Sequence, residues 1–427
     1  MRAGDLDTTD LTVDAARLFD RLDTLARIGA IEGTAGCSRL ALTDDDRAGR
    51  DLVVSWMHDL GLTISVDGIG NVIATMPEPS GPPVMTGSHV DTVATGGRYD
   101  GNLGVLAGLE VIETVLAADI RLERPLAVGF FTDEEGARFA PDMLGSLVHV
   151  GGMGLEEALD IEGIDGATVG AELERIGYAG PAPCPAAPPL SFVELHIEQG
   201  PVLEADGNRI GAVTGVQGIS WTEVTITGQS NHAGTTPMSL RKDPAVVAGS
   251  IAVFVHELAH SMGPPQVGTV GKIDLHPDLV NVVAASAIVT VDLRNTDEEQ
   301  LQQAEAALAG HLESLAASHD VTIETRSLAR FEPVVFDPRV VDLIDTVSRA
   351  QGHPTARLPS GAGHDAQMLA RICPAGMIFV PSVDGISHNP AEHTDAADLE
   401  AGANVLLQTM LALASDAELP STTTKES

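Results

Sequence analysis

Seven residues carry the side chains most suited to chemistry. His89, Asp91, Asp100, Glu134 and Glu135 fall in one stretch, Gly87 to Glu135, and His196 and His388 follow far downstream. Imidazole nitrogens and carboxylate oxygens in this mixture suit divalent cations. A metal site with an open position lowers the pKa of a water and can hydrolyse an amide-type C–N bond. His89 and Asp91 are two apart, so on an extended segment their side chains point the same way. One could ligate a metal while the other takes the second ring N–H and fixes the tautomer. A surface pair reads equally well. Asp100, in the glycine-flanked RYDGN, could bridge two cations with its two oxygens, or cap the helix that follows. Glu134 and Glu135 are adjacent and must diverge, so one can ligate metal and the other act as general base; two solvated acids are the plainer reading. His196 in ELHIEQG and His388 in GISHNPAEHT each suit an ordinary histidine when taken alone. Together, His89, Asp100, Glu135, His196 and His388 give three ligands to each of two metals if Asp100 is shared.

The elements that must position these residues follow from periodicity. Leu11–Ile28 and the segment after Thr43 read as amphipathic helices, the second with an acidic first turn and a stop at Gly61. Short strands are expected near Ile64 and over Val72–Thr75. Pro83–Gly87, Leu126–Thr132, Ser191–Ile197 and Met377–Val380 are apolar runs of strand length, and Asn102–Leu116 is helical. Strand, helix and strand in that order predict a parallel βαβ unit, whose ligands sit beyond the carboxyl ends of the strands. The first motifs, GSHVD and DEEG, fall there. Gly151–Gly180 reads as partly irregular helix, and Pro181–Pro189 as a linker.

The chain has 427 residues, which calls for two domains or three. The expected class is α/β: a mixed, largely parallel sheet flanked by helices, interrupted by a smaller α+β insertion. The expected limits are 1–212 and 331–418 for the catalytic domain, 213–330 for the insertion and 419–427 for a disordered tail. The balance of 24 Lys+Arg against 61 Asp+Glu gives −37. That field repels nucleic acid and anionic membranes, so neither is an expected partner. The acids are spread over the chain and suit a solvated surface in a salt-rich cytoplasm, where screening removes self-repulsion. A melting temperature that does not rise with KCl would count against this. Cys37, Cys184 and Cys373 are odd in number and widely spaced, with no CxxC pair, which fits a reducing compartment. The sequence has no run of 18 apolar residues and no apolar signal core near its start, so a cytoplasmic location is expected.

The motifs GSHVDTVATGGRYDGNLGVLAGLEV, FTDEEGARF, ELHIEQGPVLE, SNHAGTTPM, VNVV, VDLRN, SGAGHDA and SHNPAEHT, in this order, resemble one family. It is the hydantoinase/carbamoylase branch of the dinuclear aminoacylase/carboxypeptidase-G superfamily, which contains N-carbamoyl-L-amino acid amidohydrolases, allantoate amidohydrolases and β-ureidopropionases. The resemblance implies two divalent ions (zinc, manganese, cobalt or nickel). One is held by His89, Asp100 and His196, the other by Asp100, Glu135 and His388. It implies Glu134 as general base and Asp91 as the residue orienting His89. Peptidases of the wider superfamily commonly carry a carboxylate where His196 falls. The insertion resembles a lid and dimerisation domain, which implies a homodimer. There His232 would reach the partner's active site and stabilise the oxyanion. Asn281 and Arg294 match positions that hold a substrate carboxylate, and Gln199 and Gly363 match positions near the ureido group. The implied substrate is a small ureido acid. His364 and Asp365 share a family motif without an assigned role.

Overall fold

The computed structural model describes residues 10–415, and the tail expected at 419–427 lies outside them. The chain forms two compact units, residues 1–214 with 335–427 and residues 215–334.

The first unit begins with α1 (Ala15–Ala26) and α2 (Asp44–Asp59). α1 is shorter than its apolar period suggests, because Asp14 accepts the Arg17 N–H and fixes the start. Thr43 does the same for α2 by accepting from Asp46 N. β1 (Thr63–Val66) and β2 (Val72–Thr75) precede β3 (Val84–His89), α3 (Asn102–Ala117) and β4 (Leu126–Phe131). Next come α4 (Leu144–His149), α5 (Leu155–Leu159), α6 (Val169–Ile176), β5 (Ser191–Ile197), α7 (Val202–Asp206) and β6 (Ile210–Val216). β3, β4 and β5 are buried along their whole lengths, as expected for strands covered on both faces. α3 is apolar nearly all round and is likewise buried. It lies close on the sheet because Gly108 faces it: a Cβ there would stand 2.6 Å from Thr86 and 2.8 Å from Val128.

The second unit holds β7 (Gly218–Thr227), β8 (Asn231–His232), α8 (Pro244–Met262), β9 (Val267–His276), β10 (Val282–Val283), β11 (Ser286–Asn295), α9 (Glu298–His319) and β12 (Thr322–Phe331). Its antiparallel sheet runs β12-β7-β11-β9. β11 alternates, so Ala287, Val289, Val291 and Leu293 point into the core. α8 is long and apolar enough, by length and composition, to cross a membrane, although no unbroken 18-residue apolar run exists. Its Val247, Ala248, Ile251 and Val255 pack into the same core, as a sheet-covering helix does.

The chain returns through β13 (Val334–Val335), α10 (Pro338–Ala350), β14 (Thr355–Ser360), α11 (Asp365–Leu369), β15 (Ala375–Val380) and α12 (Ala396–Ser415). The large sheet is mixed, in the order β1-β2-β4-β3-β5-β15-β6-β13, with β14 paired to β6. Its central strands β4, β3, β5 and β15 are parallel. β6 pairs antiparallel with β15, so the β-type residues from Gly211 to Thr227 divide between two sheets.

Candidate metal centre

Four neighbouring strands deliver the candidate residues to one edge. β3 ends on His89, β4 ends two residues before Asp133-Glu134-Glu135, and β5 carries His196 one residue from its end. His388 follows β15 in the next loop. The carboxyl edge of a parallel sheet is where such folds place ligands.

The ring Nδ1 of His89 donates to the backbone carbonyl of Asp91 at 2.9 Å. In the neutral ring that leaves Nε2 as the free acceptor, 3.6 Å from Asp100 Oδ1 and 3.3 Å from Glu134 Oε2. The Asp91 carboxylate was expected to take the ring N–H, but it lies 4.0 Å from Nδ1, beyond hydrogen-bond range. β3 stops at His89, so the strand alternation no longer governs Asp91. Its two oxygens face the backbone N–H groups of Glu134 and Glu135, each at 3.4 Å. Asp91 therefore orients His89 through its main chain and the Glu134–Glu135 pair through its side chain.

His196 repeats the pattern. Nδ1 donates to the Ile197 carbonyl at 2.8 Å, and Nε2 lies 3.1 Å from Asp100 Oδ1. Gly101, with φ +67°, lets the Asp100 loop close over both rings; a Cβ there would be 2.4 Å from the His89 ring. His388 has φ +53° and directs Nε2 to within 3.1 Å of Glu135 Oε2 and 3.6 Å of Asp100 Oδ2. Glu134 and Glu135 thus diverge, one toward His89 and the other toward His388. Two donor groups result, His89 with Asp100 and His196, and Asp100 with Glu135 and His388. A third, Glu194 with His196 and His364, is otherwise engaged. Glu194 accepts from Ser88 Oγ at 2.6 Å and from Ala366 N at 2.8 Å, and His364 Nε2 bonds Ser360 Oγ at 2.9 Å.

These residues fit a cation on three counts. Ligand atoms about 2.1 Å from a tetrahedral ion stand roughly 3.4 Å apart, and the spacings between these nitrogens and oxygens run from 3.1 to 3.6 Å. His89 Nε2 is buried without a hydrogen-bond partner. No Arg or Lys pairs with Asp91, Asp100, Glu134 or Glu135 among the described residues. Burial, opposed by His89 and reinforced by Asp365, Glu135 and Asp100, holds the Glu134 carboxyl well above the ordinary range. Burial likewise pushes Asp91 up to about 6. Burial also acts on Asp100, but hydrogen bonds from His196 and His89 outweigh it and hold the carboxyl well below its usual value. His388 is pushed up to about 9, chiefly by its hydrogen bond to Glu135.

Gln199, read as a neighbour of the ureido group, donates from Nε2 to Asp100 Oδ2 at 2.8 Å. Gly363 lies between Ser360 and α11, where a Cβ would stand 2.8 Å from Met143. His232, Asn281 and Arg294 lie in the second unit. His232 Nδ1 accepts from Gly234 N and Thr235 N, at 3.0 and 3.2 Å, so the ring proton is on Nε2. β8 and β10 bring Asn281 beside it, with the Asn281 carbonyl accepting from Ala233 N at 2.9 Å. Arg294 is paired with Asp292 at 2.8 Å.

Several supporting residues carry no sequence signal of their own. Arg39 is fully buried and donates to the carbonyls of Val90 and Ile28 and to Asn102 Oδ1, bracing the His89 and Asp100 loops together. Arg50 ties Asp46 to Thr132, just before the acidic pair. Glu392 accepts from Tyr99 N and Asp100 N at 3.0 and 3.2 Å. A charged residue inside an apolar run, as in SRLAL, is the one hint available for Arg39.

Residues 85–412 match the model of Peptidase family M20/M25/M40, a metallohydrolase family. The chain belongs to this family. Within it, this M20/M25/M40 chain is 40% identical over 402 residues to an N-carbamoyl-L-amino-acid amidohydrolase of Rhizobium meliloti, covering 93% of this chain and 96% of the relative. It is 34% identical to an allantoate amidohydrolase of Escherichia coli (strain K12), over 92% of this chain and 97% of that one. A solved hydantoinase/carbamoylase-family amidase from Burkholderia multivorans superimposes with a TM-score of 0.92 at 44% identity, covering 95% of this chain and 99% of the other. The expected branch and the α/β fold class are both met.

Proposed function

We propose that the chain is a metal-dependent amidohydrolase cleaving the ureido C–N bond of N-carbamoyl-L-amino acids to amino acid, carbon dioxide and ammonia. The shared carboxylate carries the reading: Asp100 faces His89 and His196 with one oxygen and His388 with the other. His89, Asp100 and His196 would hold one ion, and Asp100, Glu135 and His388 a second. Zinc, manganese, cobalt and nickel all suit imidazole and carboxylate. Bound there, the cations would polarise the ureido carbonyl and make a water acidic enough to deprotonate near neutral pH.

The remaining steps belong to side chains. Glu134 takes the proton of the attacking water and returns it to the leaving nitrogen. Its raised affinity for a proton suits a group that must both accept and donate near pH 7. Asp91 keeps Glu134 and Glu135 apart and the His89 tautomer fixed. His232 offers an Nε2–H donor to the developing oxyanion, reaching it from the partner of a homodimer formed through the inserted lid and dimerisation unit. Arg294 and Asn281 hold the substrate carboxylate, Arg294 exchanging Asp292 for it. Gln199 and Gly363 flank the ureido group.

Allantoate is also a ureido acid, and the Escherichia coli relative supports it as the second reading. The deciding experiment follows ammonia release from carbamoyl-L-amino acids, carbamoyl-β-alanine and allantoate. Metal-stripped protein is compared with protein reloaded with each of the four metals. Fastest turnover of a carbamoyl-L-amino acid is expected. Release from allantoate alone selects the second reading, and no release from any pairing ends both.

A further inference from the structure

Away from the metal edge, the first unit contains a cavity of about 230 Å³ between the N-terminal half of β3, the β1–β2 turn and the Pro181–Pro189 segment. Its walls are hydrocarbon: Ile73, Met85 and Pro189 face Ala182 and Ala186. Its floor is polar and buried, made of Asp67 and His149, which are 5% and 4% exposed.

The floor is incompletely satisfied. Asp67 Oδ1 accepts from Ile69 N and Asn71 N, and Oδ2 accepts from Asn71 Nδ2 at 2.9 Å. Among the described residues no Arg or Lys pairs with Asp67; the Cys184 thiol hydrogen-bonds its carboxylate, and His149 Nδ1 lies 3.7 Å from Oδ2. That gap is too long for a hydrogen bond. Nδ1 is buried and has no partner. The ring cannot swing toward the carboxylate freely, because it packs edge-on against Phe131 with centroids 5.4 Å apart. With the ring as its Nε2–H tautomer, Nδ1 and Oδ2 are two acceptors 3.7 Å apart, and one nitrogen with several N–H donors can reach both at ordinary hydrogen-bond lengths of about 2.9 Å.

The geometry points to a second binding site here, for a small primary amine whose ammonium head bridges Asp67 and His149 and whose short hydrocarbon tail lies on the alanine and proline walls. The charge follows from the floor, where a buried carboxylate lacks a cation. The size follows from the volume, which is below the roughly 300–1,000 Å³ of sites for drug-sized ligands. The segment that roofs the cavity is pinned at both ends of the opening. Ala182 N donates to the Val66 carbonyl at 3.0 Å and Ala186 N to the His149 carbonyl at 3.0 Å. The walls therefore stand preformed.

The test uses the full-length, metal-loaded protein and benzylamine as probe, titrated calorimetrically at low salt. Saturable binding is expected, at least tenfold tighter than that of benzyl alcohol. Asp67→Asn should weaken it at least tenfold. That variant could disturb the β1–β2 turn, so Ala186→Phe is the second arm. It fills the cavity while keeping the backbone hydrogen bond, and it should abolish binding with melting temperature and hydrolytic turnover unchanged. Benzylamine bound equally well by wild type and Ala186→Phe would place the amine elsewhere, for instance among the metal-edge carboxylates, and overturn the proposal. So would the absence of saturable binding, or benzyl alcohol matching the amine, which would mean that a neutral donor or water suffices.

Discussion

His196 and His388 follow neighbouring parallel strands, β5 and β15, yet they are held differently. His196 is 1% exposed, its Nδ1 is spoken for by the next carbonyl, and its Nε2 is held against Asp100 and the Gly101 N–H. The His388 side chain is 51% exposed, sits in a left-handed turn eight residues beyond its strand, and turns its Nε2 to the carboxylates of Asp100 and Glu135. The inner donor group is thus built by the sheet, and the outer one is completed by a loop. A site fixed by packed strands loses little entropy on binding, whereas a loop ligand must be ordered each time.

Neighbouring acids separate the two halves most sharply. Glu134→Gln should lower kcat about 10³-fold, within the range of general acid–base catalysis, with metal content unchanged by elemental analysis. Glu135→Gln should instead deplete the outer metal. Near-normal turnover in the Glu134 variant would remove it from the chemistry. Next in size is the histidine pair. His196→Ala strips Asp100 Oδ1 of its nearest partner in a buried setting, and should cost about 1–3 kcal/mol besides losing the inner metal. His388→Ala should keep one metal per chain and nearly all its stability in denaturant melts. Equal losses in the two variants would erase the distinction.

A smaller effect is expected with pH. In chelated protein His388 carries a proton up to about 9, held by Glu135. Its folded value is raised, so the stabilisation is complete below the unfolded value of about 6.5 and disappears as pH rises through 9. His388 is half exposed, so solvent screening leaves less than about 1 kcal/mol at stake. The melting temperature of metal-free protein should drift down across that window, and the His388→Ala variant should lack that part of the drift. The smallest expected change is with salt. Raising KCl to 1 M shortens the screening length to about 3 Å. The outer metal's affinity should fall more than the inner's in competition titrations.

How much of this was legible follows from where each signal resides. GSHVD, DEEG and ELHIEQG end apolar runs, and a strand end is visible in a linear chain. The divergence of Glu134 and Glu135 also follows from adjacency alone. That Asp91 meets the His89 ring with its carbonyl and not its carboxylate is not legible, because strand alternation ends at the last paired residue. β14 escaped notice because TARLPS carries Arg357 and Pro359, which only an edge position tolerates. The pairing of β6 is not legible because its partner residues, such as Met377 opposite Val213, arrive more than 160 positions later. Arg39, Arg50 and Glu392 were invisible for the same reason. Their contacts to Val90, Thr132 and Tyr99 span 51 to 293 residues, and little that is local marks them.

β15 enters the sheet between β5 and β6, both of which precede it by well over a hundred residues. On the ribosome, the emerging chain therefore carries His89, Asp100 and His196 while two strand edges still wait for their common neighbour. The inner trio can assemble from what has already been synthesised, but the outer one requires nearly the whole polypeptide. A message cut short before codon 388 would yield a product whose outer donor group lacks its histidine.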